Sequence, residues 1–315
     1  MSYVGPDIDP PRPRRSPLRR TLTVVLSALV PGALLGWLAF EALGGSDDGG
    51  PGRVTGAASS TGGPASAGGD PDGRPGASAS QSPTASAPGG GGSLVGKVVV
   101  IDPGHNPANF EHTAEINRKV DIGTHKKECD TTGTATNSGY SEAAFTLDVA
   151  HRLRALLERE GATVKLTQDA DRPYGPCVDE RARIGNSARA DAVVSVHADG
   201  AATGQRGFHV ILPGAVHAGA ADTRAIVAPS RELGELIADD FAESTDTSPS
   251  NYVGDGTGLV TREDLGGLNL STVPKVFIEC GNMRDSKDAA LLTSGAWRQK
   301  AAQGISEGIV SFLRG

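Results

Sequence analysis

Three stretches of the chain share one grammar, a short apolar run that ends on an ionisable residue. They are Val98-Val99-Val100-Ile101-Asp102-Pro103-Gly104-His105, Asp191-Ala192-Val193-Val194-Ser195-Val196-His197 and Lys275-Val276-Phe277-Ile278-Glu279. Apolar runs without polar alternation read as strands buried on both faces, the kind found in parallel sheets. Open α/β sheets bind their ligands beyond the carboxyl ends of such strands. His105, His197 and Glu279 are therefore expected to gather at one end of one sheet. Asp102-Pro103-Gly104 turns the chain there, because proline fixes φ and glycine tolerates positive φ.

The segments between these runs supply the helices. Ser141 reads as an N-cap, and Phe145, Val149, Leu153, Leu156 and Leu157 form one apolar face that stops at Gly161. Ala162–Thr167 alternates as a strand, Val178–Arg189 reads as a helix, and Phe208–Leu212 as another short strand. Leu233, Leu236, Ile237 and Phe241 mark an amphipathic helix, as do Trp297, Ala301, Ile305, Ile309 and Phe312. Residues 249–272 are glycine-rich and read as irregular. Strands alternating with helices predict an α/β fold, a mostly parallel twisted sheet with helices on both faces, in a single catalytic domain over 94–315.

What precedes that domain is of another kind. Residues 1–20 are basic, with Arg12, Arg14, Arg15, Arg19 and Arg20, and are placed in the cytoplasm by the charge asymmetry around the next segment. Within residues 21–43, Leu22–Phe40 is an uncharged run of 19 residues, long enough for a hydrocarbon core of about 30 Å. It reads as a transmembrane anchor rather than a cleaved signal segment, since no A-x-A-like site follows. Either way the rest of the chain is exported. Residues 44–93 form a Gly/Ser/Ala/Pro-rich tract that buries too little apolar surface to fold, and they read as a disordered tether. The net charge of −7 and the absence of a basic stripe interleaved with aromatics exclude a nucleic-acid partner.

Two imidazoles with one carboxylate leave a fourth position for water, the usual arrangement of a catalytic zinc. His105 and His197 are the candidate imidazoles. Glu142, at the start of the helix after Ser141, either supplies the carboxylate or simply complements the helix dipole, and spacing does not separate the two. Glu279 would be costly in the interior without a partner. It either exchanges a proton with water and a leaving amine, or pairs with Arg181, Arg183 or Arg284.

Taken together, VVVIDPGHN, SGYSEAAFTLDVAHRL, VKLTQDADRPYGPCVDERARIGNSARADAVVSVHADG and TVPKVFIECGNMRDSKDAALL resemble the zinc-dependent N-acetylmuramoyl-L-alanine amidases of the amidase-3 type, in matching order from Leu94 onward. The resemblance implies Zn2+ held by His105, Glu142 and His197, and Glu279 as the catalytic glutamate. It implies peptidoglycan as substrate, cleaved outside the cytoplasm at the amide between the lactyl group of N-acetylmuramic acid and L-alanine. The alternatives are another exported zinc-dependent amide hydrolase of the wall, or a non-catalytic wall-binding module. The chain departs from the commoner pattern at Asp199, where Asn is usual, at Cys280-Gly281-Asn282, and in a long polar insert over 106–140 that carries His112 and His125. That insert is expected over or beside the metal cleft, with its histidines as loop residues. Export also implies a disulfide: Cys129 and Cys177 sit in polar loops and are expected to bridge, leaving Cys280 as a core residue.

Overall fold

In the computed structural model of the chain the described residues are 93–315. The basic amino terminus, the Leu22–Phe40 run and residues 44–92 of the tether lie outside them. Among the described residues no helix is long and apolar enough to cross a membrane.

Six strands make the main sheet: β1 (Val98–Pro103), β2 (Thr163–Leu166), β3 (Ala192–Asp199), β4 (His209–Pro213), β5 (Leu259–Arg262) and β6 (Lys275–Asn282). Their order is β2-β1-β3-β6-β4-β5. The first four run parallel to one another, β4 pairs antiparallel to β6, and β5 runs parallel to β4. The larger helices are α1 (Glu142–Arg159), α2 (Val178–Ala188), α3 (Val227–Thr245), α4 (Ser286–Leu292) and α5 (Gly295–Arg314). This is the mostly parallel α/β sheet expected from the alternation of strands and helices.

Register explains why the core and the polar groups do not interfere. Ile101 aligns with Val194, Val194 with Val276, and Ile278 with both Val196 and Val210. Side chains of aligned residues share a face, so these point one way. They pack with Phe145 and Leu153 of α1, Ile237 and Phe241 of α3, and Ile305 and Ile309 of α5 in one core. The alternate residues Val100 and Val193 pack with Ile184 and Ala188 of α2 on the other side. Further along that second face, Asp102, Ser195, His197, Phe277 and Glu279 follow in register. A period of two therefore places the polar residues on the face opposite the main core and at the carboxyl ends of the strands.

One expectation needs correction. Residues 249–272 are not irregular throughout: they hold β5 and the short helix Gly266–Asn269. β5 is an edge strand, paired on one side alone and only partly buried, so its sequence lacks an apolar run. The 106–140 insert has structure of its own. It contains a hairpin, Lys119–Asp121 against Lys126–Glu128, over a small cluster of Val120, Ile122, Cys129, Cys177 and Val178 that is separate from the main core. Cys129 and Cys177 are disulfide-bonded, and Cys280 is free and buried in the main core. The bond closes a sequence separation of 48 residues, for which the chain-entropy account gives about 4 kcal/mol. The Cys129→Ser/Cys177→Ser variant should lose stability on that scale in denaturant unfolding. Thiol labelling of the unfolded, unreduced chain should find one reactive cysteine.

Candidate active site and metal centre

β1 delivers His105 through an unexpected device. The residue in the left-handed region is His105 itself, with φ of 63°, and not Gly104. Such a conformation costs a non-glycine residue about 1–2 kcal/mol. It is held in place because the His105 carbonyl accepts hydrogen bonds from Gln168 Nε2 at 2.9 Å and Arg181 Nη2 at 3.1 Å. Glycine is needed at 104 for space: a Cβ there would lie 2.4 Å from His197 Cε1. The His197 ring also stacks on Phe277, with centroids 5.2 Å apart and planes 15° apart. His197 is thus packed against a bare backbone and an aromatic ring.

Glu142 opens α1, whose N-cap Ser141 accepts a hydrogen bond from the Ala144 amide. Its carboxylate does not stay at the helix surface. The Thr134 amide donates to Oε2 at 2.9 Å and the Ala198 amide to Oε1 at 3.3 Å, turning the buried group toward the sheet end. There Oε1 lies 3.2 Å from His105 Nε2 and 2.9 Å from His197 Nδ1. One ligand atom from each of His105, Glu142 and His197 falls within 4.8 Å of the other two. Gly133, from the insert, packs over this group: a Cβ there would lie 2.7 Å from His105 Cδ2 and 2.9 Å from Glu142 Oε2.

The three residues and Glu279 line one cavity of about 300 Å³, with Thr131, Gly133 and Thr134 of the insert on its wall. The insert therefore lies beside the cleft. Glu279 Oε2 is buried with no hydrogen-bond partner. None of the three arginines considered for it is paired with it. Arg181 bonds Asp102 at 2.8 Å and Asp130 at 3.0 Å, Arg183 pairs with Glu180 at 3.6 Å, and Arg284 donates to the Ala135 carbonyl at 3.2 Å. His112 packs against Tyr174, and the His125 ring nitrogen sits 3.0 Å from Thr124 Oγ1, so neither joins the cluster. Asp199 accepts a hydrogen bond from the Tyr252 hydroxyl at 2.7 Å.

Electrostatics show what the cavity asks for. Burial pushes the Glu279 carboxyl well above the usual range, and the charges of Glu142 and Asp199 push it further. Burial opposes a charged His105, but Glu142 and Asp130 outweigh it and raise its pKa to about 10. A site that draws a proton onto a buried imidazole offers a divalent cation the same negative potential. Two imidazoles and a carboxylate are also the donor types of a catalytic zinc site with one position left open. The residues fit the ion.

Residues that the sequence reading passed over lie behind the donors. Asp102, at the end of β1, accepts from Thr167 Oγ1 and Ser195 Oγ at 2.6 Å each, from Arg181, and from Lys275 Nζ at 3.1 Å. Asp130 faces the far nitrogen of His105 at 3.3 Å. Its one sequence signal was its position next to Cys129.

An α/β domain that gathers two imidazoles and two carboxylates at its strand ends is built as a hydrolase whose donor set suits a divalent metal. Residues 99–311 match the family described as N-acetylmuramoyl-L-alanine amidase (Amidase_3), and the chain belongs to that family. An N-acetylmuramoyl-L-alanine amidase of Mycobacterium tuberculosis is 42% identical over 222 residues, 70% of this chain and 88% of the relative. The crystal structure of an N-acetylmuramyl-L-alanine amidase from Mycobacterium smegmatis is similar at 42% identity and a TM-score of 0.64, covering 70% of this chain and 98% of that one. The corresponding apo enzyme of Mycobacterium abscessus is similar at 40% identity and a TM-score of 0.64, covering 70% and 100%.

Proposed function

We propose that the chain is a zinc-dependent peptidoglycan amidase acting outside the cytoplasm. Its bond is the amide between the lactyl group of N-acetylmuramic acid and L-alanine of the stem peptide. His105, Glu142 and His197 would hold the ion, and Glu279 would move the proton. The observation that carries this reading is the meeting, in one cavity, of the three-donor cluster with a glutamate whose buried Oε2 has no partner.

Held by His105, Glu142 and His197, zinc would supply an activated water as nucleophile at neutral pH. Glu279 takes the proton on Oε2 as water attacks the lactyl carbonyl. It holds that proton until the C–N bond breaks and then delivers it to the departing amine. The products are a lactyl carboxylate and a stem peptide with a free amino group on L-alanine. The amides of Thr134 and Ala198 keep Glu142 turned inward, while Gly104 and Phe277 fix the plane of the His197 ring.

The same reading gives the remaining segments their parts. Residues 21–43 anchor the chain in the membrane with residues 1–20 inside, residues 44–93 tether it, and residues 94–315 work on the wall. A flexible tether of 50 residues spans roughly 40 Å on average. Digestion of purified sacculi followed by mass analysis tests the activity. Free stem peptides that begin with L-alanine are the expected products. Cuts inside the stem would assign the chain to another wall hydrolase, and full zinc occupancy without any product to a wall-binding module.

A further inference from the structure

A line of buried charge runs away from the donor cluster and takes no part in the reaction. Lys275 Nζ lies 3.1 Å from Asp102 Oδ2, Asp102 Oδ1 2.8 Å from Arg181 Nη1, Arg181 Nη2 3.0 Å from Asp130 Oδ2, and Asp130 Oδ1 3.3 Å from His105 Nδ1. None of the four charged residues is more than 6% exposed. The line ends on the ring nitrogen of His105 that faces away from Glu142. The Thr131 carbonyl, at 3.1 Å, and its Oγ1, at 3.2 Å, complete the cover of that nitrogen. A carboxylate behind a metal-ligating imidazole fixes its tautomer and orientation and raises its basicity.

A second observation concerns what holds Asp130 there. Asp130 directly follows Cys129, and Cys177 is the N-cap of α2, which carries Arg181. The Arg181 amide donates to the Cys177 carbonyl at 2.9 Å and the Val178 amide to the Cys129 carbonyl at 2.7 Å. The disulfide thus fastens the segment that bears Asp130 to the helix start that bears its arginine. Few apolar contacts support this junction, since its cluster is small and separate from the main core.

We propose that Asp130 is a positioning residue for the metal centre, and that the Cys129–Cys177 disulfide governs metal retention through it. The inference rests on the reading of His105 as a ligand. It adds that the centre reaches full affinity only after the chain enters an oxidising compartment where the bond forms.

The test is zinc affinity of the full-length chain, measured by competition with a chromogenic chelator. Asp130→Asn should bind zinc about 10- to 100-fold more weakly, the range for loss of such a supporting partner. Cys129→Ser/Cys177→Ser should weaken it comparably. Because both act through one contact, the triple variant should be no weaker than the weaker of the two. Ile309→Ala, a truncation on α5 within the main core, should lower Tm and leave zinc affinity at the parent value. Should Asp130→Asn not fold, the zinc off-rate of the parent before and after reduction by a phosphine is the second measure. It should rise by a similar factor. Parent-like affinity in Asp130→Asn or in the cysteine variant overturns the inference alone, as do additive losses in the triple variant or an unchanged off-rate. A parent chain that holds no zinc overturns the ligand reading and this inference with it.

Discussion

Glu279→Gln should keep near-stoichiometric zinc and lose turnover by about 10²–10⁴-fold, the usual contribution of a positioned acid–base group. Glutamine retains the shape and the hydrogen-bonding capacity of the side chain while removing the group that accepts and returns a proton. Zinc should stay because none of the contacts within the His105, Glu142 and His197 cluster involves residue 279. The loss should fall on kcat more than on KM, since the proton is moved after substrate has docked. Glu142→Ala should behave in the opposite way. It leaves two imidazoles, so zinc affinity should fall by orders of magnitude and activity with it. Elemental analysis beside hydrolysis of sacculi reads both outcomes at once. If Glu279→Gln loses its metal while Glu142→Ala keeps it, the two glutamates have exchanged roles.

The contrast between these two residues also shows what could be read in advance. Glu279, His105 and His197 stand at the ends of short apolar runs, and runs rich in β-branched residues and bounded by turn residues read as buried strands. Their convergence followed from the topology of parallel strands. Glu142 was ambiguous because a first-turn glutamate has an adequate local reason to exist, the helix dipole. Only the tertiary contacts with Thr134 and Ala198, one on either side of it in the chain, show that it turns inward. Gly104 matters for a property that its local sequence does not display. Its neighbourhood in sequence argues for backbone freedom, whereas its neighbour in space, the His197 ring, demands the missing side chain. Asp130 had only its place beside Cys129 to mark it, and Lys275 carried no signal. A loop aspartate gains its meaning from an arginine 51 positions further on, and lysine is so rarely buried that its place at the head of a strand reads as a solvated end. β5 escaped notice because an edge strand need not be apolar. Long-range pairing of polar groups is the part of a fold that local pattern does not encode.

That hidden pairing should nonetheless carry a large share of stability. Asp102 is 1% exposed and takes hydrogen bonds from Thr167, Ser195, Arg181 and Lys275. Asp102→Ala leaves Lys275, also 1% exposed, without its carboxylate. Breaking a buried pair from one side costs about 3–5 kcal/mol, because an uncompensated charge remains in the interior. Burial alone would raise the Asp102 pKa, but Lys275 and Arg181, with the Ser195 and Thr167 hydroxyls, hold it well below the ordinary carboxylate range. The sign of the pH effect follows. Above about pH 5 the aspartate is ionised in both the folded and the unfolded chain, and its full contribution is present. As pH falls below that value the unfolded chain takes up the proton first, so stability declines toward the depressed folded pKa. The decline is at most about 1.4 kcal/mol per pH unit for this one group. Asp130 adds to it with the same sign, its pKa held at about 2 against burial by Arg181 and by hydrogen bonding to His105. Urea unfolding at pH 7, 4 and 3 should therefore show the parent chain losing stability below about pH 5 more steeply than Asp102→Ala, which starts lower and has one less proton to take up. Parallel pH curves for the two chains would mean that Asp102 is not the ionised acceptor at the centre of this network.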